Sequence, residues 1–550
     1  MTRSLGEPSG EYISAQTLRA MLQDGIEIAL LDVRELRDFS IGHLWLASHL
    51  PLSRLELRVR RFVPRPGTRI VLCDQANGVA ERAASKLQDM GYCQLQILEG
   101  GINAWTEAGF ELVGGNYVIA HAFGYHIEDQ YQTPVMTAQQ LHTMRDNGEE
   151  VLVIDARSEN DYLEESIPGS ISVPAAEVAR KISDLVPNSS IPIVVHCAGI
   201  TRAMLGAQGL INCEIPNPVF SLRDGTRGWV LDGGELIPNQ RINPVVPSAA
   251  AKKYSTAAAA RLAAEFSLTY VTLDQMLEWR TDHPDRTCYL IDVRSEQEYL
   301  VAHYPESISI PGGELAGMTI DHLATQNARL CLFADEDCAR SEITASWMKQ
   351  LGWSDVVIVR GWQSAPHLLS GAEPDCYPEI DALDVTVVSA ESLVTDNLTE
   401  QVEILDFSQS EHYRQGHIPG AVWASRAQLG KDIALSTGTT VVICTSRSGR
   451  QGRLAAADLD QLIGLPVKAV EGGNLACFDA GVKREAGQCK HIGQIDDIDE
   501  YLSPPSNDGR GELLSWHRHC ISWRNRLYGQ FRQQQPVNFG PDSNIQSNAR

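Results

Sequence analysis

Short apolar runs that end in an aspartate recur four times along this chain. Each run lacks the regular polar alternation of a half-exposed strand, which is typical of a parallel strand covered on both faces. A second apolar run follows each of them and leads through a short loop into a helical pattern. Strands that alternate with helical segments predict βα units, with a mainly parallel sheet flanked by helices in each copy. The four aspartates are Asp32, Asp155, Asp292 and Asp406, and the second runs cover residues 69–73, 191–196, 329–333 and 440–443.

The spacing within the four copies indicates repeats of one unit. The loop starts 42, 42, 43 and 38 residues after the aspartate, and a glycine follows after a further 26–29 residues. We therefore predict an α/β protein of four tandem domains, with an alanine-rich linking helix within residues 239–268 and a helical tail that packs on the domain before it. The predicted boundaries are 10–112, 133–238, 268–366 and 386–488 for the domains and 489–550 for the tail.

Length, charge and cysteine usage narrow the class of protein. A chain of 550 residues exceeds what one hydrophobic core supports. Its net charge of −24 repels phosphate backbones and anionic lipids, so neither nucleic acid nor a membrane is expected as a partner. The sequence shows no export signal and no apolar stretch that could cross a bilayer, and its 12 cysteines are scattered without a C-x-x-C pair. We expect a cytoplasmic protein with reduced thiols and no metal site.

The second loop places a cysteine where open α/β sheets bind their ligands. Cys197 directly follows a predicted strand, and a helical pattern begins a few residues later. The turn's N–H groups and the helix N-terminus favour an anion, and Arg202 adds a positive charge, so a thiolate is expected at Cys197. Gly199 is expected to let the backbone turn tightly. His196 could act as a base, but adjacent strand residues point to opposite faces, which favours a packed strand histidine.

These motifs resemble those of a tandem rhodanese, a sulfurtransferase with four rhodanese-like domains, over nearly all of residues 13–486. The resemblance rests on the strand-aspartate motifs, the Gly-His or Ile-Pro-Gly turns, the second loop and the closing segments 99–105 and 224–229. It implies that Cys197 accepts a sulfane sulfur as a persulfide, and that Asp155 and Arg157 brace the strand end beside the loop. It also implies that the donor's oxyanion is bound by the loop residues Ala198, Gly199, Ile200, Thr201 and Arg202.

The same resemblance implies a reaction without a metal or an organic cofactor, because the cysteine itself carries the sulfur. The expected donor is thiosulfate or a similar small molecule, and the expected acceptor is cyanide, a small thiol such as glutathione, or a thioredoxin-like protein. A rival interpretation is a non-enzymatic scaffold in which the copies bind a partner protein and Cys197 senses oxidants. The intact second loop favours the enzyme, whereas the departures of the other three loops favour the scaffold.

Two of the other loops carry an aspartate at the expected cysteine position. Asp74 occupies it in the first copy and Asp335 in the third, where Glu336 and Asp337 add two more carboxylates. Carboxylates repel both an anion and a thiolate, so the first and third domains are predicted to be catalytically inactive. We expect each of the two aspartates to accept hydrogen bonds from its own loop amides.

The fourth loop has a cysteine but a different length. Five residues separate Cys444 from Arg450, one more than the second loop has between its cysteine and arginine. Such a C-x5-R loop resembles the rhodanese-related phosphatase branch, in which a wider loop holds a tetrahedral phosphate. Two interpretations stay open: a second site that binds phosphate or arsenate without efficient hydrolysis, and a degenerate domain with a leftover cysteine.

Overall fold

Four parallel sheets follow one another along the chain, each flanked by helices, as the sequence predicts. The computed structural model describes residues 10–242, 246–335, 339–373, 377–394, 401–430, 433–487, 490–501 and 509–540. Contacts divide the chain into two compact units. The first holds the first and fourth sheets, and the second holds the second and third sheets with the C-terminal helix. The first unit comprises 1–23, 29–115 and 375–503, and the second comprises 24–28, 116–374 and 504–550.

The first domain shows the strand order that all four share. The domain's own strands have the order β1-β5-β4-β2-β3, and all of them are parallel. Its strands are β1 (Glu11–Ile13), β2 (Ile28–Asp32), β3 (Ser48–His49), β4 (Ile70–Cys73) and β5 (Leu95–Leu98). Its helices are α1 (Ala15–Met21), α2 (Leu36–Ile41), α3 (Leu55–Phe62), α4 (Val79–Asp89) and α5 (Gly101–Glu107). The central strands β2 and β4 are buried along their whole length, which explains why their sequences are continuously apolar.

The second domain repeats this arrangement and follows helix α6 (Val118–Tyr131). Its sheet has the order β6-β10-β9-β7-β8. The strands are β6 (Val135–Met136), β7 (Leu152–Asp155), β8 (Ile171–Ser172), β9 (Ile193–His196) and β10 (Val219–Leu222). The helices are α7 (Ala138–Asp146), α8 (Glu159–Glu164), α9 (Val178–Leu185), α10 (Thr201–Asn212) and α11 (Gly225–Leu231). Cys197 therefore lies between the end of the central strand β9 and the start of α10.

The third domain begins after helix α12 (Ala249–Glu265), so the linking helix predicted from the alanine-rich stretch is confirmed. Its sheet has the order β11-β16-β15-β12-β13. The strands of this sheet are β11 (Thr269–Thr272), β12 (Cys288–Asp292), β13 (Ile308–Ser309), β15 (Arg329–Phe333) and β16 (Val356–Arg360). The short strand β14 (Thr325–Gln326) precedes β15 in the chain and is not part of this sheet. The helices are α13 (Leu273–Asp282), α14 (Glu296–Val301), α15 (Gly312–Gly317) and α16 (Arg340–Gln350).

The fourth domain extends the shared order by one edge strand. Its sheet has the order β17-β21-β20-β18-β19-β22. The strands are β17 (Thr386–Val388), β18 (Val402–Asp406), β19 (Val422–Ala424), β20 (Val441–Thr445), β21 (Val467–Val470) and β22 (His491–Ile492). The helices are α17 (Pro378–Asp381), α18 (Ser410–Gln415), α19 (Arg450–Leu462) and α20 (Gly473–Asp479).

The C-terminal tail differs from the sequence-based expectation in two ways. It is not helical from residue 489, because strand β22 pairs in parallel with β19, and the helix α21 spans Arg510–Gln534. The tail also does not simply extend the domain before it, since α21 packs against α6 and α11 beside the second sheet. Among the described residues, no helix combines the length and apolar character that a membrane span needs.

A buried glutamate in the first unit makes stability depend on pH. Burial and the nearby Asp496 carboxylate raise the pKa of Glu35 from 4.5 to about 8, although Ser53 donates two hydrogen bonds to its carboxylate. Between these two pH values the unfolded chain loses a proton that the folded chain keeps, so the free energy of unfolding falls as pH rises. Glu35→Gln should remove this loss, which amounts to about 1.4 kcal/mol per pH unit.

Thermal unfolding at pH 5, 6, 7 and 8 measures this effect. The gain in unfolding midpoint of Glu35→Gln over the wild type should grow with pH, whereas Glu107→Gln, at an exposed helix position, should show no such trend. A gain that stays constant across the four pH values would contradict the expected titration of Glu35.

Candidate functional site

Strand register identifies which residue starts the loop in each domain. The aspartate that ends the first apolar strand pairs with the last strand residue before the loop: Asp32 with Cys73, Asp155 with His196, Asp292 with Phe333 and Asp406 with Thr445. The next residue therefore occupies the same position in all four copies. The residues at this position are Asp74, Cys197, Ala334 and Ser446.

This register corrects two sequence-based assignments. Asp335 lies one residue beyond the equivalent position, and Cys444 lies two residues before it, inside strand β20. The sequence comparison was wrong here because it aligned the loops by residue type, whereas the end of a strand is set by hydrogen bonding to its neighbour. Of the four loop starts, Cys197 is the one that carries a thiol.

Cys197 is held in a loop tied to the start of α11. Its side chain is 4% exposed, and the backbone N–H of Gly199 donates to its Sγ at 3.3 Å. Its carbonyl oxygen accepts a hydrogen bond of 2.8 Å from the N–H of Thr226. A Cβ at Gly225, whose φ is +54°, would overlap that carbonyl oxygen, so glycine is required there.

The ion pair expected beside the loop is formed. Arg157 Nη2 lies 2.7 Å from Asp155 Oδ2, and the Arg157 N–H donates to the same carboxylate at 3.0 Å. Ser166 Oγ donates to it as well, at 2.5 Å. The same pairing recurs between Asp32 and Arg34 and between Asp292 and Arg294. Because it occurs also where the loop has no cysteine, the pair fixes the strand end and is not specific to thiol chemistry.

Arg202 and Gly199 make contacts that the sequence did not predict. Arg202 Nη1 lies 2.9 Å from Asp161 Oδ2 and is thus engaged by a carboxylate on α8. Gly199 does not have a positive φ. A Cβ there would instead overlap Nη1 of Arg524, a residue of the C-terminal helix. A larger residue at this position would displace the guanidinium of Arg524 from the loop.

Two arginines that sequence reasoning missed lie at the loop. Arg227 Nη1 donates to the carbonyl oxygen of Ala198 at 2.9 Å. Arg524 is 1% exposed, and its Nη2 lies 3.4 Å from Asp224 Oδ1. A signal existed for Arg227, which belongs to the closing segment 224–229. The sequence gives no signal for Arg524, because a position on an amphipathic tail helix does not reveal which domain that helix packs against.

His196 is a packed strand histidine, as its position on the strand favours. It is fully buried, and burial lowers its pKa to about 4 despite the Asp155 carboxylate 3.8 Å away. The ring is therefore uncharged at neutral pH. Ser166 and Arg157, rather than His196, donate the hydrogen bonds that Asp155 accepts from side chains.

The first loop is closed by its own side chain, which confirms the expectation for Asp74. One carboxylate oxygen of Asp74 accepts from the N–H of Ala76 at 2.8 Å, and the other accepts from Val79 and Ala80 at 3.0 Å each. These are the amides that an anionic ligand would otherwise use. The first loop is thus occupied by a carboxylate that belongs to the chain.

The third loop uses its aspartate differently. Asp335 forms an ion pair of 2.9 Å with Arg340 and lies 3.6 Å from Arg180. Arg340 is fully buried and also pairs with Glu177 and Glu298. Asp335 therefore belongs to a charge cluster between the second and third domains. The other two predicted loop carboxylates, Glu336 and Asp337, lie outside the described residues.

The proposed second site at Cys444 and Arg450 is not formed. Cys444 is fully buried among core side chains such as Leu405 and Ala455, and burial raises the pKa of its thiol far above the usual range. Arg450 lies over the ring of Tyr377 at 4.8 Å. Ser446 takes the loop position, and its Oγ accepts from the N–H of Gly452 at 3.1 Å. Of the two interpretations of this loop, the geometry agrees with the leftover core cysteine.

Comparison with known proteins places this chain in a family. The model of the rhodanese-like domain matches residues 14–108, 137–232 and 389–477. The crystal structure of a thiosulfate sulfurtransferase from Pseudomonas aeruginosa is 35% identical, covers 96% of this chain and 99% of its own, and superimposes with a TM-score of 0.89. The chain belongs to the rhodanese family.

Two curated relatives match over shorter stretches. The "Putative thiosulfate sulfurtransferase SseB" of Mycobacterium tuberculosis is 27% identical over 34% of this chain and 78% of its own length. A protein of Allochromatium vinosum named "Sulfurtransferase" is 26% identical over 18% of this chain and 92% of its own. The third sheet lies outside the three ranges that the family model matches, yet it has the same strand order as the other three.

Proposed function

We propose that this protein is a sulfurtransferase that moves a sulfane sulfur through a persulfide on Cys197. One observation carries the proposal: Cys197 is the loop-start residue with a thiol, and a loop amide donates to its sulfur. The names of the relatives, which include thiosulfate sulfurtransferases, support the same reaction class. Cys444 is buried in the core and takes no part in the proposed reaction.

The reaction has two displacement steps. The Cys197 thiol loses its proton to solvent, and the thiolate attacks the outer sulfur of thiosulfate. The S–S bond of the donor breaks, sulfite leaves with the bonding electron pair, and Cys197 carries a persulfide. An acceptor such as cyanide or a thiolate then attacks the outer persulfide sulfur, which forms thiocyanate or a new persulfide and releases the Cys197 thiolate. The chemistry needs no cofactor, because sulfur is both the nucleophile and the transferred atom.

The setting of the proposed reaction is a reducing compartment. The described cysteines are free thiols, including Cys288 and Cys331, whose sulfurs lie 3.3 Å apart. Reduced thiols are typical of cytoplasmic proteins, so we place the protein there, with glutathione or a thioredoxin-like protein as the acceptor thiol.

Intact-mass measurement after incubation with thiosulfate tests the proposal. We expect a mass gain of one sulfur atom that maps to the peptide containing Cys197 and disappears when cyanide is added. The rival function is a scaffold whose Cys197 senses oxidants. A chain that gains no sulfur from thiosulfate, but gains oxygen at Cys197 with hydrogen peroxide, would favour that rival.

Arg227 and Arg202 should differ in how much each contributes to binding the sulfur donor. Arg227→Met removes a guanidinium that contacts the loop carbonyl of Ala198, so we expect the KM for thiosulfate to rise about tenfold or more. Arg202→Met should have a smaller effect, because its guanidinium is engaged by Asp161. Steady-state kinetics with varied thiosulfate and saturating cyanide measures both. If Arg202→Met raised the KM more than Arg227→Met did, Arg202 would be the residue that binds the donor's oxyanion.

A further inference from the structure

The C-terminal helix brings an arginine to the Cys197 loop from outside the segments matched by the family model. Helix α21 packs against α6 and α11, and the guanidinium of its Arg524 rests on Gly199. The side chain is 1% exposed. Within the described structure, Nε and Nη1 of Arg524 have no hydrogen-bond partner, and the remaining nitrogen, Nη2, reaches Asp224 at 3.4 Å. A buried guanidinium with two unused nitrogens is costly unless a ligand completes its bonding.

A second guanidinium lies in the same place. The Arg227 Nε is also buried without a hydrogen-bond partner in the described structure, and the Arg227 guanidinium lies 5.1 Å from the ring of Trp516 on α21. Burial lowers the pKa of Arg227, and among the neighbouring charges Arg524 lowers it further. The two cations are therefore close enough to repel each other.

The surrounding groups do not cancel this charge. Asp224 is the carboxylate paired with Arg524. Burial and the two guanidinium groups lower the pKa of His517 to about 4, and burial lowers that of His121 as well, so both rings are neutral at pH 7. Glu165, a second carboxylate on which Arg227 acts, is exposed to solvent. The two buried guanidinium groups with the single paired carboxylate of Asp224 therefore leave a net positive charge beside the Cys197 loop. An anion with several oxygens would both neutralise this charge and accept the unused N–H groups.

Asp224, the carboxylate that pairs with Arg524, has a backbone conformation that is unfavourable for an aspartate. It precedes α11 with a φ of +59°, a conformation that favours glycine, and the corresponding residues of the other domains are Gly100, Gly361 and Gly472. The second domain thus has an aspartate in a position where the fold prefers glycine, and that aspartate is the partner of Arg524.

We propose that Arg524 of the C-terminal helix, together with Arg227, binds the oxyanion end of the sulfur donor and makes the site selective for small dianions such as thiosulfate. This inference rests on the proposed function, since it assigns the substrate class of the same site. The same two groups would bind the sulfite that leaves when the persulfide forms. The tail is then part of the donor site, in addition to packing on the second domain.

Calorimetric titration of the full chain with sulfate tests this without relying on turnover. Sulfate is an unreactive dianion of similar shape to thiosulfate. The wild type should bind it, Arg524→Met should weaken binding at least tenfold, and Arg524→Lys, which keeps the charge but not the planar fork, should be intermediate. Arg526→Met is the matched control, because Arg526 is exposed on the same helix and hydrogen-bonds Ser522.

A variant that is expected to strengthen sulfate binding tests the proposal even if Arg524→Met folds poorly. Asp224→Gly removes the carboxylate and restores the glycine of the other copies, so sulfate affinity should rise. Absence of sulfate binding in the wild type, equal binding by Arg524→Met, or weaker binding by Asp224→Gly would each overturn the inference. Kinetics separates the two proposals. If Arg524→Met forms the Cys197 persulfide with an unchanged KM for thiosulfate, only the inference fails, whereas sulfate binding without any persulfide in the wild type contradicts the proposed function.

Discussion

Replacing Cys197 by serine is expected to abolish sulfur transfer from thiosulfate to cyanide, with a loss on the order of 1000-fold or more. The serine oxygen cannot form the persulfide, and no other loop start supplies a thiol, because those positions hold Asp74, Ala334 and Ser446. Thiocyanate formation under saturating thiosulfate measures the loss. The fold should be retained, since the substitution exchanges one atom for another of similar size.

Two other cysteines provide matched controls. Cys444→Ser changes a thiol buried in the core of the fourth domain, and Cys93→Ser changes an exposed one. Both variants should keep the transfer rate, although Cys444→Ser should lower stability because it buries a hydroxyl among apolar side chains. Activity that survives in Cys197→Ser but is lost in either control would move the nucleophile to that other cysteine.

Replacing Arg426 by methionine is expected to destabilise the first unit by about 3–5 kcal/mol. Arg426 is 2% exposed and pairs with Glu56 at 2.7 Å and with Asp458 at 2.8 Å. This guanidinium holds the pKa of both carboxyls below their usual range. Its loss would leave two largely buried carboxylates with Lys86 as the ion-pair partner, and with Arg82 as a further nearby charge acting on Asp458.

Chemical unfolding and limited proteolysis of the first unit measure this effect. The double variant Arg426→Met with Glu56→Gln should recover part of the lost stability, because one of the two carboxylates that lost Arg426 is replaced by a neutral amide. Arg414→Met, at an exposed position on α18, should be nearly neutral. If Arg426→Met unfolds like the wild type, solvent rather than the ion pairs satisfies these carboxylates.

The three loops that start without a thiol differ in how their residues are used. In the first domain the Asp74 carboxylate occupies the loop amides, and in the third an alanine stands at the loop start while Asp335 joins a charge cluster. In the fourth, Ser446 accepts from a loop amide. The sequence correctly predicted the aspartate of the first loop, because an acceptor at a helix start has a local role that depends on few neighbours.

Repetition, strand and helix pattern, and the cysteine of the second loop were predictable from the sequence alone. These features depend on periodicity over a few residues and on fixed spacing, both of which are visible along the chain. The brace of Asp155 and Arg157 was predictable through family resemblance, and it forms because the two residues are two positions apart at a strand end. Short-range chemistry of this kind needs little information about the rest of the fold.

Only the tertiary structure decided where each loop starts and which charges surround Cys197. The strand containing Cys444 continues past that cysteine because β18 pairs with it up to Thr445, and this pairing cannot be seen in the local sequence. Arg202 turns to Asp161, while Arg524 reaches Gly199 from a helix near the other end of the chain. A long charged side chain takes whichever partner the packing brings within reach. The sequence therefore determined which loop carries the thiol, and the packing of α21 determined that Arg524 lies beside it.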